Sequence, residues 1–246
     1  MARVLDSAQL DGVILVYQAS QDSYLSNDFR LAETPRLPAS TYKIPHSMIA
    51  LETGVAVYDS VMFRWDGRPR LLKSWEADLT LRQAFLRSCV PCYQQVARAV
   101  GPTRMRAQLD KMGYPGMTFD SASIDRFWLV GESRISPREQ VDFLRRFHAG
   151  ELGLSPQTDS LMRRLMVLEK TDAYVLRGKT GWSMQGEKNN GWFVGYLSTA
   201  DDLFFFATNI DPRPDFDMDH FGTMRREVTQ AALDSLGVSF AQKSVD

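Results

Sequence analysis

The chain has 246 residues, 44% of them hydrophobic and 24% charged, and its 29 basic and 30 acidic side chains leave a net charge of −1. That length predicts one or two domains whose core needs no metal or disulfide to hold it. The charge balance excludes a surface built to coat nucleic acid or an anionic membrane. No apolar run approaches the ~18 residues of a membrane span, and no signal peptide opens the chain. Met1-Ala2 reads as a start placed before an already trimmed mature sequence.

Gly12 to Tyr17 is a β-branched run that reads as a buried strand, and Ser23 to Phe29 after a turn predicts a hairpin. Thr41 to Leu51 reads as a helix that tolerates Pro45 near its first turn and stops at Gly54. Tyr58 to Trp75 reads as irregular, with a turn at Trp65-Asp66-Gly67. Pro91 near a helix start and Gly101 at a helix stop predict a helix to Val100. Ser136-Pro137-Arg138-Glu139 is a capping box opening a helix that Gly150 closes. Ser155-Pro156 starts another. Strands are predicted over Tyr174–Gly178, Gly191–Ser198 and Leu203–Thr208, and a last helix from Thr223 to about Leu236. The pattern predicts a mixed α/β fold: a central antiparallel sheet from about 1–35 and 168–246, flanked by helices, with a helical lobe over about 36–167. We read these as one catalytic domain over 1–246.

Three histidines (His46, His148, His220) and two cysteines (Cys89, Cys92) offer no H-x-x-x-H and no second Cys pair. No metal site is expected from those spacings.

Ser40-Thr41-Tyr42-Lys43 puts a hydroxyl and an amine nearly one turn apart at a helix start. A serine becomes a nucleophile when a neighbouring base takes its proton, and first-turn N–H groups can meet developing negative charge. Alone, S-x-x-K is expected about once per chain at average composition, and a plain Ser cap beside a solvated Lys explains it equally well. Ser88-Cys89-Val90 is as cheap. Lys179-Thr180-Gly181 is scarcer, and its nucleotide-loop reading fails because a P-loop would need Gly where Ala173 stands. A strand is expected to lead into this triplet and a turn to leave it.

The order S-x-x-K, S-x-V, K-T-G is that of penicillin-binding serine enzymes. Leu37 to Pro45, Phe63-Arg64-Trp65-Asp66-Gly67, Ile124 to Leu129, Lys179-Thr180-Gly181-Trp182 and Gly191 to Tyr196 together resemble the class D, oxacillinase-type, serine β-lactamases. The resemblance runs from about Gly12 to Leu236. It implies that Ser40 is acylated and that Lys43, N-carboxylated by CO2 or bicarbonate, is the general base. It implies that Val90, Trp128 and Leu129 surround the carbamate, that Ser88 relays a proton, and that Lys179 and Thr180 meet the substrate carboxylate. Ser40 and Trp182 N–H groups would form the oxyanion hole beside Gly181. Arg225 matches the carboxylate-binding Arg, with Arg226 and Arg213 close in sequence. The resemblance implies no prosthetic group, a small β-lactam as partner with neither nucleic acid nor membrane, and the Gram-negative periplasm; oligomeric state is left open. The family's Tyr-Gly-Asn box appears as Tyr114-Pro115-Gly116-Met117 and lacks its Asn.

Cys89 and Cys92 are not supplied by the resemblance. Three apart around Pro91, they can close a disulfide or remain two buried thiols. Competing readings are a stably acylated β-lactam sensor domain, in which the position of Leu129 tends to be polar; a cell-wall DD-peptidase, which lacks the Trp128 segment; and a redox module on Cys89 and Cys92, for which the βαβ context is missing.

Overall fold

Gly12 to Tyr17 lies inside a nine-residue strand whose side chains are buried on both faces. This computed structural model describes residues 1–58, 60–186, 188–238 and 240. A short helix α1 (Ala2–Ser7) precedes that strand, β1 (Leu10–Gln18). β2 (Ser23–Ser26) returns antiparallel, with Tyr24 opposite Tyr17. The second strand stops short of Phe29 because the Asp28 carboxylate accepts from the N–H groups of Arg30 and Leu31, capping a one-turn helix α2 (Phe29–Ala32).

A 3₁₀ turn (Ala39–Tyr42) leads into α3 (Lys43–Glu52), and Gly54, at a φ of 66°, follows its end. The stretch read as irregular holds β3 (Val61–Phe63), which pairs with β4 (Leu79–Thr80). The capping box Thr80/Gln83, absent from the sequence reading, opens α4 (Leu81–Leu86). In α5 (Val90–Met112) the stop expected at Gly101 is a kink at a φ of 75°, after which Pro102 starts a further helical stretch. Pro at a helix start fits both roles, so Gly-Pro here joins two helices. α6 (Pro137–His148) and α7 (Pro156–Leu165) begin at the Ser136 and Ser155 caps read from the sequence.

β5 (Val167–Lys170), β6 (Tyr174–Gln185), β7 (Lys188–Thr199) and β8 (Leu203–Pro212) complete a six-stranded sheet of order β2-β1-β8-β7-β6-β5. Every neighbouring pair is antiparallel. α8 (Met218–Asp234) starts five residues before the expected Thr223, at an Asp217 cap. No turn follows Lys179-Thr180-Gly181: β6 runs on to Gln185, with Gly181 opposite Trp192 and Trp182 opposite Gly191. Trp182 to Gln185 therefore pair with Lys188 to Gly191 at the end of a hairpin. Gly178, the last residue of the predicted strand, serves close packing inside β6, since a Cβ there would lie 2.5 Å from Val194 O.

The sheet separates two apolar layers. Val13, Leu15 and Tyr17 face the helical lobe with Trp192, Val194 and Tyr196. Ile14 and Val16 face α1 and α8 with Phe193, Phe206, Phe221 and Val228. Burial on both faces is why the β1 run is continuously apolar and not alternating. The helical lobe packs α6 on β8, β1 and β7, and its 3₁₀ turn (Ala39–Tyr42) lies against β6. No helix among the described residues is long and apolar enough to cross a membrane.

Candidate active site

Ser40 sits on the 3₁₀ turn before α3, just after Ala39, whose φ of 49° is in the left-handed region. The turn is tied down from three sides. Thr41 donates its N–H (3.2 Å) and its hydroxyl (2.6 Å) to Pro38 O, Gln140 Nε2 of α6 donates to Thr41 Oγ1 (2.8 Å), and the Trp192 indole donates to Leu37 O (2.9 Å). Such over-determination is what holds a non-glycine residue in a sparsely populated conformation. Ser40 keeps 9% exposure while Lys43, one turn on, has none. Lys43 Nζ donates to Ser40 Oγ at 2.8 Å.

The second arm is the α4–α5 junction. Ser88 adopts a φ of 54°, and Cys89 N donates back to Ala84 O (2.9 Å). Cys89 caps α5, its Sγ accepting from Cys92 N (3.3 Å), and the two cysteines form a disulfide with Cα atoms 5.4 Å apart. Two aromatic residues bracket Ser88 in the chain. The Phe85 ring lies 5.7 Å from Lys179 Nζ, and the Tyr93 ring 5.2 Å from Lys43 Nζ. Ser88 is half-buried, and Val90 packs against the core beside it.

The third arm is β6. β5 pairs with it only through Val175, Leu176 and Arg177, and Gly178 N reaches Met166 O (3.0 Å). Beyond Gly178 this edge of β6 lies against the nucleophile turn. A Cβ on Gly181 would stand 3.1 Å from Thr41 Cγ2 and 3.3 Å from Pro38 O, so the glycine allows the strand to approach Ser40 closely. Lys179 is buried and donates to Thr180 O (3.0 Å). Arg225 of α8 donates through Nη1 to Gly181 O (2.7 Å) and through Nε and Nη2 to Gly222 O (3.0 and 2.7 Å). Its guanidinium lies 5.4 Å from the Trp182 ring, which is 37% exposed at the rim. Arg226 instead approaches Glu169 (3.9 Å), and Arg213 pairs with Asp6 and Asp11. Of the three arginines near in sequence, Arg225 is the one bonded to the Lys179-Thr180-Gly181 strand.

Burial, and then the Lys179 charge, hold Lys43 well below the ordinary amine range. Burial, and then Arg225, bring Lys179 down to about 7, and burial takes Arg225 to about 10. Trp128 is fully buried, 5.1 Å from the His46 ring and stacked at 5.8 Å on Tyr42. Its indole N–H has no partner among the described residues. Buried donors of this kind are rare, so the site presents a hydrogen-bond position awaiting an acceptor. Leu129 packs beside it, partly buried.

Two lining residues were missed as site residues. His46, read only against metal ligation, is fully buried within an aromatic box of Tyr42, Tyr93 and Trp128, and both its ring nitrogens lack partners among the described residues. Its signal was available: Ser40, Lys43 and His46 recur every three residues and share a face. Tyr93 had no comparable signal. Its hydroxyl bonds Ser47 Oγ (2.6 Å), and only the fold brings its ring to Lys43.

The fold and this triple-motif site define a penicillin-recognising serine protein, and the model of the penicillin binding protein transpeptidase domain matches residues 2–233. The chain belongs within that group to the class D β-lactamases. It is 38% identical over 232 residues to β-lactamase OXA-10 of Pseudomonas aeruginosa, covering 93% of this chain and 85% of that one. It superposes with a TM-score of 0.91 on the class D β-lactamase YbXI from Nostoc, at 40% identity over 97% of this chain and 98% of that one. It also superposes, at 0.89 and 29% identity over 97% and 95% of the two chains, on the C-terminal domain of the Bacillus licheniformis BlaR penicillin-receptor.

Proposed function

We propose that this protein hydrolyses the β-lactam amide of penicillin-class antibiotics through an acyl-enzyme on Ser40, and so confers resistance to them. The observation that carries the reading is the 2.8 Å contact between Ser40 Oγ and a Lys43 amine wholly removed from water. An amine kept neutral can accept a proton or react with CO2, whereas an ammonium can do neither. The unpartnered Trp128 indole N–H supports carboxylation of Lys43, since a carbamate oxygen there would supply its missing acceptor. Carboxylated, Lys43 would offer a carboxylate able to take the proton of Ser40 and later that of the deacylating water.

The chain's own groups then divide the work. Ser40 Oγ attacks the lactam carbonyl. Strand alternation supports an oxyanion role for Trp182: the register that turns Gly178 N–H toward Met166 O turns the N–H groups of Thr180 and Trp182 to the same edge, facing Ser40. The half-buried hydroxyl of Ser88 passes a proton toward the lactam nitrogen. Lys179, Thr180 and Arg225 receive the substrate carboxylate, Lys179 as ammonium and Arg225 as a guanidinium already oriented by Gly181 O and Gly222 O. Val90 and Leu129 keep bulk water from Lys43. The Cys89–Cys92 disulfide favours an oxidising compartment, and we assign the protein to the Gram-negative periplasm.

Likeness to the BlaR receptor domain gives a second reading, a β-lactam sensor that is acylated and remains so. The apolar Leu129 favours the hydrolase. Steady-state penicillin turnover separates the two, with intact mass recorded in parallel. Many turnovers, and an adduct on Ser40 that is lost in Ser40→Ala, are expected. One equivalent consumed with a lasting adduct would establish the sensor, and an adduct persisting in Ser40→Ala would remove the nucleophile assignment.

A further inference from the structure

The Cys89–Cys92 bridge lies inside the α4–α5 junction, and the residue that follows it brings its ring to Lys43. Ser88 immediately precedes Cys89. Val90 lies within the ring closed by the bridge. Tyr93 immediately follows Cys92, and its ring is 5.2 Å from Lys43 Nζ. We propose that this disulfide is a positioning element of the active site, which fixes the first turn of α5 so that Ser88, Val90 and Tyr93 keep the Lys43 pocket closed. The proposal rests on the reading of Lys43 as a carboxylated base, and deepens it by naming what holds that pocket together.

A bridge across three residues constrains the unfolded chain little, so its worth as a global staple is small. Its local effect is larger. Ser88 is a non-glycine residue at a φ of 54°, a conformation that must be held by its surroundings. The backbone supplies Cys89 N to Ala84 O (2.9 Å) on one side, and the Cys89 cap onto Cys92 N (3.3 Å) on the other. A cap through a free thiol leaves χ1 of Cys89 to rotate, whereas the bridge fixes it against Cys92. Both cysteines are buried, at 1% and 4% exposure, and the turn is packed against the core formed by Phe85, Tyr93 and Val96. Loosening that turn moves Tyr93 away from Lys43, admits water, and favours the ammonium that cannot take up CO2. The bridge therefore acts on the base through its neighbours and touches no reacting atom.

The test compares the native enzyme with the double variant Cys89→Ser/Cys92→Ser, whose hydroxyl at the first of these positions retains an N-cap oxygen. Penicillin turnover is titrated with bicarbonate from CO2-free buffer upward at mildly acidic and neutral pH, alongside thermal unfolding and 13C NMR of the protein in 13C-bicarbonate. The half-saturating bicarbonate concentration is expected to rise roughly tenfold or more without the bridge, the scale on which groups orienting a ligand shell act. At saturating bicarbonate kcat is expected to recover to within about twofold of native, with KM unchanged. Native enzyme reduced by excess dithiothreitol is expected to match the variant; the dithiol is oxidised to its cyclic disulfide as the bridge gains two hydrogens. An unchanged bicarbonate dependence would overturn the positioning role while leaving the carboxylated lysine intact. Loss of fold in the variant would overturn it in favour of a structural staple, and free thiols in the unreduced native protein would overturn it because no bridge would be present. If no form of the enzyme responds to bicarbonate and no carbamate carbon is seen, the carboxylation reading itself falls, which is a distinguishable result.

Discussion

Lys43 and Lys179 are buried in one site, and no carboxylate among the described residues offsets either charge. Desolvation drives both toward the neutral amine, and the charge on Lys179 pushes Lys43 further. Lys43 is held well below the ordinary amine range, and Lys179 falls to about 7 through burial and then the Arg225 charge. One amine is prepared to act as a base or to react with CO2, and the other to meet an anion.

The first prediction follows from the neutral state of Lys43. Activity is expected to fall in CO2-free buffer, most at mildly acidic pH where protonation competes with carboxylation, and to return on adding bicarbonate. Lys43→Ala is expected to acylate slowly and to deacylate by at least about 10²-fold more slowly than native, the scale of general-base loss. Single-turnover mass spectrometry separates the two steps. Native-like turnover in Lys43→Ala would exclude this lysine as the base.

The second concerns Trp128, whose indole N–H is buried without a partner among the described residues. Trp128→Phe keeps an aromatic against Tyr42 and His46 but removes the donor. A hydrogen bond to a charged group is worth about 1.5–3 kcal/mol, so bicarbonate affinity is expected to drop by roughly tenfold or more. Thermal stability is expected to change little by comparison, because native Trp128 already lacks this bond when Lys43 is unmodified. A bicarbonate titration identical to native would mean that the indole does not contact the carbamate.

How much of this was legible in the sequence depends on what kind of signal each residue carries. Caps such as Ser136/Glu139 and Ser155 were readable because a local hydrogen bond sets the helix start. Gly181 misled, because strand glycines admitting a neighbouring turn have the same one-dimensional signature as glycines that make turns. The second half of α5 was missed for a related reason, since Gly101-Pro102 reads as an end whether or not helix resumes. Ser40, Lys43, Ser88 and Lys179 are singled out by motif order and family resemblance, while the approach of the Tyr93 and Phe85 rings to Lys43 and Lys179 depends on how the α4–α5 junction meets the fold. That long-range placement has no local code.

The third prediction uses Lys179. Its ammonium is the form that pairs with a substrate carboxylate, so kcat/KM is expected to fall as pH rises through the free-enzyme pKa, at about 7 when Lys43 is unmodified. A carbamate on Lys43 adds a nearby negative charge, which favours the ammonium and moves this limb to higher pH. The limb is therefore expected to shift upward as bicarbonate is added. Lys179→Arg, charged throughout, is expected to lose the limb while binding less well for its different shape. A basic limb that persists unchanged in Lys179→Arg belongs to another group.

The last prediction concerns acid stability and His46. Burial, and then the Lys43 charge, lower its pKa from 6.5 to about 3, so the folded protein keeps the ring neutral where the unfolded chain protonates it. The unfolded state then binds more protons between those two values, and stability rises with pH across that window. Read downward, the folded state loses about 1.4 kcal/mol for each pH unit below the ordinary His pKa, at full slope. His46→Leu removes the titration and replaces a ring whose two nitrogens have no partners among the described residues with an apolar side chain. Urea unfolding from pH 7 to pH 4 is expected to give a shallower loss of stability in the variant, by about that slope, while the titration of Lys43 and Lys179, common to both proteins, cancels in the comparison. Parallel stability curves for the two proteins would show that His46 takes up its proton without unfolding, and that the aromatic box formed by Tyr42, Tyr93 and Trp128 opens to water more readily than its packing implies.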